Sequence, residues 1–226
     1  MEAIVLAGGK GTRLKSVVAD LPKPMASIGK KPFLEYVFKY LKVQGVKNIV
    51  VSVGYKWEII ESYFGTEYDG VKLVYSVESE PLGTGGAIKR ALQKIKGKEL
   101  YVMNGDTFFN VNLSKLNLTE DCKIALSLKQ MKNFDRYGCI ESHNGIVTKF
   151  VEKEYRRIGN INGGVYLIKK DIFDPYDVDE KFSFEDFVQD RFLELNASAS
   201  IFSGYFIDIG IPKDYRKAQD EIESFL

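Results

Sequence analysis

The sequence predicts a three-layer α/β fold built on a largely parallel sheet. Apolar runs of strand length recur through the first half of the chain, and segments with a 3.6-residue period separate them. A glycine-rich turn directly after the first run points the same way, because open α/β sheets bind ligands at the carboxyl ends of their strands. Ala3–Ala7, Asn48–Val53, Lys72–Val77 and Leu100–Asn104 are the strand candidates, short and rich in Val, Ile, Leu and Tyr. Between the first two, Phe33, Leu34, Val37, Phe38 and Leu41 fall on one helical face, with Pro32 near the start and Gly45 past the end. Trp57–Phe64 and Gly86–Ile95 read as two more helices.

After residue 120 the pattern changes. Lys123–Lys129, Gly138–Glu141, Val147–Glu152 and Gly163–Ile168 read as strands with short turns, one of them His-Asn-Gly at 143–145. Ser183 is placed to cap a helix over Phe184–Leu195, with Asp186 in its first turn. Ala199–Phe202 and Tyr205–Asp208 follow as strands, and Pro212 opens a final helix to Leu226. No linker, repeat or low-complexity stretch divides the 226 residues. We expect one domain over 1–226, with a first half at 1–120 and a more antiparallel half at 121–226.

Composition narrows the function classes. Apolar content is 45%, charged content 28% and formal net charge +1, with both signs dispersed. That argues against a nucleic-acid-coating surface and against a membrane-binding basic face. No apolar run has transmembrane length and the chain starts directly on a strand, so the cytoplasm is the expected compartment. Cys122 and Cys139 make neither a disulfide framework nor, with the lone His143, a zinc cluster; two buried thiols are expected. A homo-oligomer is compatible with this composition.

The most informative passage is LAGGKGTRL at residues 6–14, closed by PKPM at 22–25. Glycine backbone at Gly8, Gly9 and Gly11 can approach a phosphate and aim N–H groups at it. Arg13 and Lys23 can neutralise several phosphate oxygens. The spacing is not that of a Walker loop, since Lys10 precedes the last glycine. Nor is it a dinucleotide fingerprint, whose third glycine would stand at Leu14.

Two aspartates end apolar strands: Asp106 in YVMNGD and Asp208 in FIDIG. Each alone reads as a turn residue before glycine, but beside a phosphate loop the pair suits magnesium, which takes few carboxylates and completes its shell with phosphates and water. In EPLGTGGAI, Glu80 can accept from a guanine's N1–H and amine; an exposed loop glutamate is the alternative, and Thr84 is placed to cap a helix. Glu152 and Lys153 end a strand and Asn162 opens the next, a set suited to sugar hydroxyls and a phosphate or, alternatively, to a solvated turn. Asp177 and Asp179 form a DxD without a preceding strand and read as loop, which disfavours a glycosyltransferase. No serine or cysteine has an evident base partner, so hydrolytic triads fit poorly. A phosphate monoester, largely dianionic at neutral pH with a second pKa of about 6, needs no such base.

Taken together, LAGGKGTRL, PKPM, EPLGTGGAI, NGD, YG at 137–138, FVEK, NGGVY and DIG make the chain resemble the sugar-1-phosphate nucleotidylyltransferases, in that family's order to about residue 215. The likeness is greatest to guanylyltransferases of heptose 1-phosphate, with those of mannose 1-phosphate close behind. The resemblance implies a Rossmann-like α/β/α sandwich of the nucleotide-diphospho-sugar transferase type, with a mostly parallel mixed sheet. It implies GTP and a sugar 1-phosphate as substrates, Mg2+ as cofactor and pyrophosphate as leaving group. Residue by residue, it gives Arg13, Lys23 and Asp106 catalytic roles and makes Asp106 and Asp208 metal ligands. Leu6, Ala7, Gly8, Gly9, Gly11, Thr12, Arg13, Glu80 and Gly85 would bind the nucleotide; Gly138, Glu152, Lys153 and Asn162 would bind the sugar. Glu154 stands where many relatives have proline, so a differently shaped sugar-side loop is expected. The chain stops soon after the last motif, so no β-helix domain is expected. A silent sugar-nucleotide sensor is the competing class, and it has no need of Arg13, Lys23, Asp106 and Asp208 together.

Overall fold

The computed structural model describes residues 1–9, 11, 14 and 21–225. The chain begins with β1 (Glu2–Leu6), then the paired β2 (Ser27–Ile28) and β3 (Lys31–Pro32), which lead into α1 (Phe33–Val43). Next come β4 (Asn48–Val53), α2 (Trp57–Phe64), β5 (Glu67–Tyr68), β6 (Val71–Val77), α3 (Gly83–Leu92), β7 (Glu99–Asn104) and β8 (Thr107–Phe109). The second half holds β9 (Ile124–Phe134), β10 (Cys139–His143), β11 (Ile146–Val151), β12 (Arg156–Lys169) and α4 (Phe184–Arg191). It closes with β13 (Ser198–Phe202), β14 (Phe206–Asp208) and α5 (Pro212–Glu221).

Ten strands form one sheet in the order β10-β11-β13-β9-β12-β7-β1-β4-β6-β5. From β6 through β4 and β1 to β7 every pairing is parallel, as the helical crossovers of the first half require. Beyond β7 the expectation of a mostly parallel sheet is corrected. β12 runs antiparallel to both β7 and β9, β10 pairs antiparallel with β11, and only β13 lies parallel to β9. Short turns rather than helices join most of these later strands, and such connections give antiparallel neighbours. Asn144 and Gly145, both at positive φ, turn β10 into β11 as the His-Asn-Gly signal predicts.

Alternation in β1 sorts the layers. Ala3 and Val5 face a core with Phe33, Phe38 and Leu41 of α1, Ile60 and Phe64 of α2 and Ala218 of α5. Ile4 faces the opposite core with Ile88 of α3 and Phe184, Phe187 and Val188 of α4. Each large side chain sealed in this way stabilises the fold by about 2 kcal/mol. The result is the expected three-layer sandwich.

Boundaries moved where local chemistry intervened. α4 stops at Arg191 rather than Leu195, with Asn196 at φ 46° in the turn beyond. α5 ends at Glu221 and a 3-10 turn covers Ile222–Phe225; the expected terminus, Leu226, lies outside the described residues. β12 starts at Arg156, well before Gly163, because Arg156 and residues 158–162 already pair with β9; a bulge between Asn162 and Tyr166, with Gly164 at φ 70°, breaks the alternation within the strand. Cys122 and Cys139 are free and buried. Among the described residues no helix is long and apolar enough to cross a membrane.

Candidate active site

The site forms where β1, β6, β7 and β14 end. After β1, the backbone passes through Gly8 and Gly9 to Gly11, which sits at φ 59°. A Cβ on Gly11 would lie 2.7 Å from Lys23 Cβ, so the loop rests on the lysine stem and only glycine fits there. Thr12 and Arg13 lie outside the described residues. Lys23 opens the 3-10 turn Lys23–Met25, whose Pro24 and Met25 are buried, so the stem leaves a fixed base.

The Lys23 ammonium donates to Asp106 Oδ2 and stands 3.6 Å from Asp208 Oδ1. Those carboxylates, remote in sequence, are brought together because β14 pairs antiparallel with β8, setting Asp208 opposite Thr107. The Gly210 N–H donates to Asp208 Oδ1 at 2.7 Å. A Cβ at Gly210 would come 2.8 Å from that oxygen and 3.1 Å from Lys23 Nζ, so the pocket around the charges depends on a bare backbone. The Lys23 ammonium thus lies between two carboxylates, the chemistry of a donor set that suits a divalent ion. Among the described residues no group of three acid, histidine or cysteine side chains forms, so an ion held here takes its remaining ligands from substrate phosphates and water.

Each acid lies in the wall of a different cavity. The first, about 290 Å3, is lined by Leu6, Gly8, Gly9, Ser52, Glu78, Gly83, Thr84, Asn104 and Asp106, among others. Glu80 is exposed and outside this lining, whereas Glu78, two residues earlier, is part of it. Glu78 Oε1 accepts from Ser52 Oγ at 3.2 Å and Oε2 from the Leu82 N–H at 3.0 Å, which fixes the carboxylate against the Gly8 backbone. Gly85 is also outside the lining. A Cβ there would lie 2.2 Å from the Phe182 ring, so Gly85 serves packing, while Gly83 at φ 71° lines the cavity. Ala7 is buried behind the turn, its N–H donating to Ser52 O at 2.7 Å. The sequence signal for Glu78 is its position just past the end of β6; the glycine run beside Glu80 masked it.

The second cavity, about 630 Å3, takes Gly138, Glu152, Lys153, Asn162 and Asp208 into its wall, so all four expected sugar-side residues share one space. Tyr137 and Tyr166, from the YG and NGGVY motifs but without an expected role, join them, as do Arg136 and Glu185 from outside any motif. Asn162 Nδ2 donates to the Tyr166 hydroxyl at 2.7 Å, and its Oδ1 accepts from the Gly164 N–H at 2.9 Å, so the amide is held in one orientation. Burial pushes the Tyr166 hydroxyl pKa up and keeps it protonated. Burial opposes the Arg136 charge, but its 2.8 Å bond to Asp214 and the nearby Tyr137 and Asp208 outweigh that and hold its pKa above the ordinary value. Thr84 ties the cavities together. Its hydroxyl donates to Glu185 Oε2 at 2.5 Å and accepts from the Phe184 N–H at 2.8 Å, so it caps α4 rather than its own helix. Beyond FVEK, Glu154 pairs with Arg156 in the loop where proline is absent.

Residues 2–224 match the NTP_transferase family, the nucleotidyl transferases. The chain belongs to that family. It is 56% identical over 216 residues, 95% of this chain and 97% of the other, to D-glycero-alpha-D-manno-heptose 1-phosphate guanylyltransferase of Campylobacter jejuni. Identity to the protein of the same name from Aneurinibacillus thermoaerophilus is 50% over 230 residues and the whole of both chains. The crystal structure of HddC from Yersinia pseudotuberculosis complexed with GMP-PN matches with a TM-score of 0.82 at 39% identity, covering 100% of this chain and 99% of that one. A nucleotidyl transferase must bring two anions together in line. A cluster of one ammonium and two carboxylates, with each carboxylate in the wall of a different cavity, is an arrangement able to do so.

Proposed function

We propose that the chain transfers the guanosine monophosphate of GTP to D-glycero-α-D-manno-heptose 1-phosphate, giving GDP-heptose and pyrophosphate. The observation that carries this reading is the Lys23 ammonium set between Asp106, in the wall of the first cavity, and Asp208, in the wall of the second. The choice of nucleotide and sugar rests on the high identity to the two heptose 1-phosphate guanylyltransferases.

In this reading GTP occupies the first cavity. Glu78 accepts from the guanine N1–H and exocyclic amine, a pairing only a carboxylate can make in full. The Gly8–Gly11 backbone and Arg13 cradle the triphosphate, and Lys23 turns its ammonium to the reacting phosphates. Asp106 and Asp208 would hold magnesium, which when bound supplies positive charge to the α-phosphate oxygens as the transition state develops. The heptose lies in the second cavity, its hydroxyls on Glu152, Asn162 and the Gly138 backbone, its phosphate near Lys153. A phosphate oxygen of the sugar forms the new bond to the α-phosphorus. The bond from that phosphorus to the β-bridging oxygen breaks, and pyrophosphate leaves with the electron pair. No protein base is required, because the attacking monoester is already ionised.

A matrix of GTP, UTP, CTP, dTTP and ATP, each against heptose, mannose and glucose 1-phosphates, tests the assignment by pyrophosphate release. GTP with heptose 1-phosphate should give the highest kcat/KM. Preference for mannose 1-phosphate would replace the sugar, and turnover with only UTP or dTTP would remove the guanylyl assignment.

A further inference from the structure

A third cavity, about 980 Å3, opens at the far ends of two elements that build the catalytic site. The start of β7 and the C-terminal half of α3 line it, whereas Asn104 at the end of the same strand and Gly83 at the start of the same helix line the first cavity. Lys89, Lys96, Lys98, Lys169 and Lys170 surround it. Ion pairs among the described residues engage none of the five. Lys169 and Lys170 instead donate to the carbonyls of Glu120 and Ile95, and Lys89 Nζ lies 3.4 Å from Val178 O. Glu99, Asp171 and Asp174 are the acids of the lining, and Asp171 is engaged by Lys123 at 2.9 Å. Glu2 accepts from the Lys96 and Gly97 N–H groups and so faces the backbone there.

The floor of this cavity is apolar. Leu92 and Phe173 are buried, and the Phe173 ring packs at 5.0 Å on Phe187 and 5.4 Å on Phe182. Tyr176 lies beside them with the Arg191 guanidinium 5.3 Å above its ring. Lysines gathered around a concave surface without carboxylate partners repel one another and concentrate positive potential in the space between. A phosphate relieves that repulsion, and lysine binds phosphate as a point charge. The volume matches the roughly 300–1,000 Å3 of small-molecule sites, which pair an apolar floor with a few polar anchors.

We propose that this cavity is a second ligand site that takes a nucleotide, its phosphates among Lys89, Lys96 and Lys98 and its base against Leu92, Phe173 and Tyr176. It is separate from the catalytic centre and independent of the reaction proposed above.

The test follows backbone amide resonances of 15N-labelled protein during titration with GDP and, separately, inorganic pyrophosphate. Gly97, Lys98 and Lys170 report the third cavity; Gly8 and Leu82 report the first. GDP should shift the third-cavity set saturably, and with higher affinity than pyrophosphate. Lys96→Glu/Lys98→Glu, and Lys89→Glu as a second variant, should weaken binding there by at least about tenfold. Both variants should leave the Gly8 and Leu82 shifts and turnover unchanged. The absence of a saturable shift at Gly97, Lys98 and Lys170 at millimolar GDP would overturn the proposal, as would shifts that survive both variants. Pyrophosphate binding as tightly as GDP would overturn the assignment of the floor to a base.

Discussion

Of the two glutamates near the first cavity, Glu78 lines it and Glu80 does not, and the proposed guanine contact falls to Glu78. Glu78 is held by Ser52 and the Leu82 N–H, and each carboxylate oxygen keeps a lone pair for a guanine edge. Glu78→Gln replaces one acceptor with a donor facing a donor. We expect KM for GTP to rise by roughly 30-fold, about 2 kcal/mol, with Glu80→Gln within about twofold of wild type. Steady-state kinetics on the two variants checks this, and the reverse ranking would return the role to Glu80. A second residue-scale expectation concerns Cys139 in the second cavity. Burial raises its thiol pKa above the ordinary value of 9.0, so the thiolate fraction is small at neutral pH. Alkylation of the Cys139 peptide, followed by mass spectrometry, should therefore keep accelerating beyond pH 9. The acids Asp106 and Asp208 were legible in the sequence because each follows an apolar strand and precedes a turn. Glu78 was not, because only the folded chain shows that its carboxylate, held by Ser52 and the Leu82 N–H, turns into the first cavity while Glu80 stays exposed.

At the scale of elements, α3 and α4 are locked by contacts that leave no slack. Ser183 Oγ accepts from the Asp186 N–H at 3.1 Å, the cap that the sequence announced, and Ser183→Ala should cost about 1 kcal/mol. Gly85 meets the Phe182 ring, so Gly85→Ala should cost about 1–3 kcal/mol through overpacking. For a chain of this size each kcal/mol lowers Tm by about 2–4 °C, and calorimetry on the two variants reads both effects. An unchanged Tm in Gly85→Ala would mean that Phe182 swings aside at little cost. The periodic helices were readable because α1 and α2 bury one face each. β12 was only partly readable: Gly159, Asn160 and Asn162 are weak strand formers that pair with β9 all the same, and Gly163 and Gly164 fall in the bulge that follows.

Across the whole molecule, a parallel half and a mostly antiparallel half meet along β7 and β12, and the proposed substrates lie on either side of that seam. The sequence revealed both halves by their change of rhythm. It could not reveal the shared sheet, which depends on β12 choosing β7 as its neighbour. The three-charge cluster of Lys23, Asp106 and Asp208 is where the halves meet, since β14 comes from the end of the chain and β7 from its middle, and in the proposed reaction it is where they act together. Binding GTP with magnesium at about 100 times Kd should stabilise the fold by about 2.7 kcal/mol, several degrees in Tm, if it contacts only the folded state. The most direct measurement is magnesium-dependent pyrophosphate release by Asp106→Asn, Asp208→Asn and the double variant, each first shown to melt as wild type does. Two ligands of one ion fail together, so each single change should lower kcat by about a hundredfold or more and the double should be little worse than the poorer single. Near-wild-type turnover in saturating magnesium, or losses that simply multiply, would contradict a shared ion.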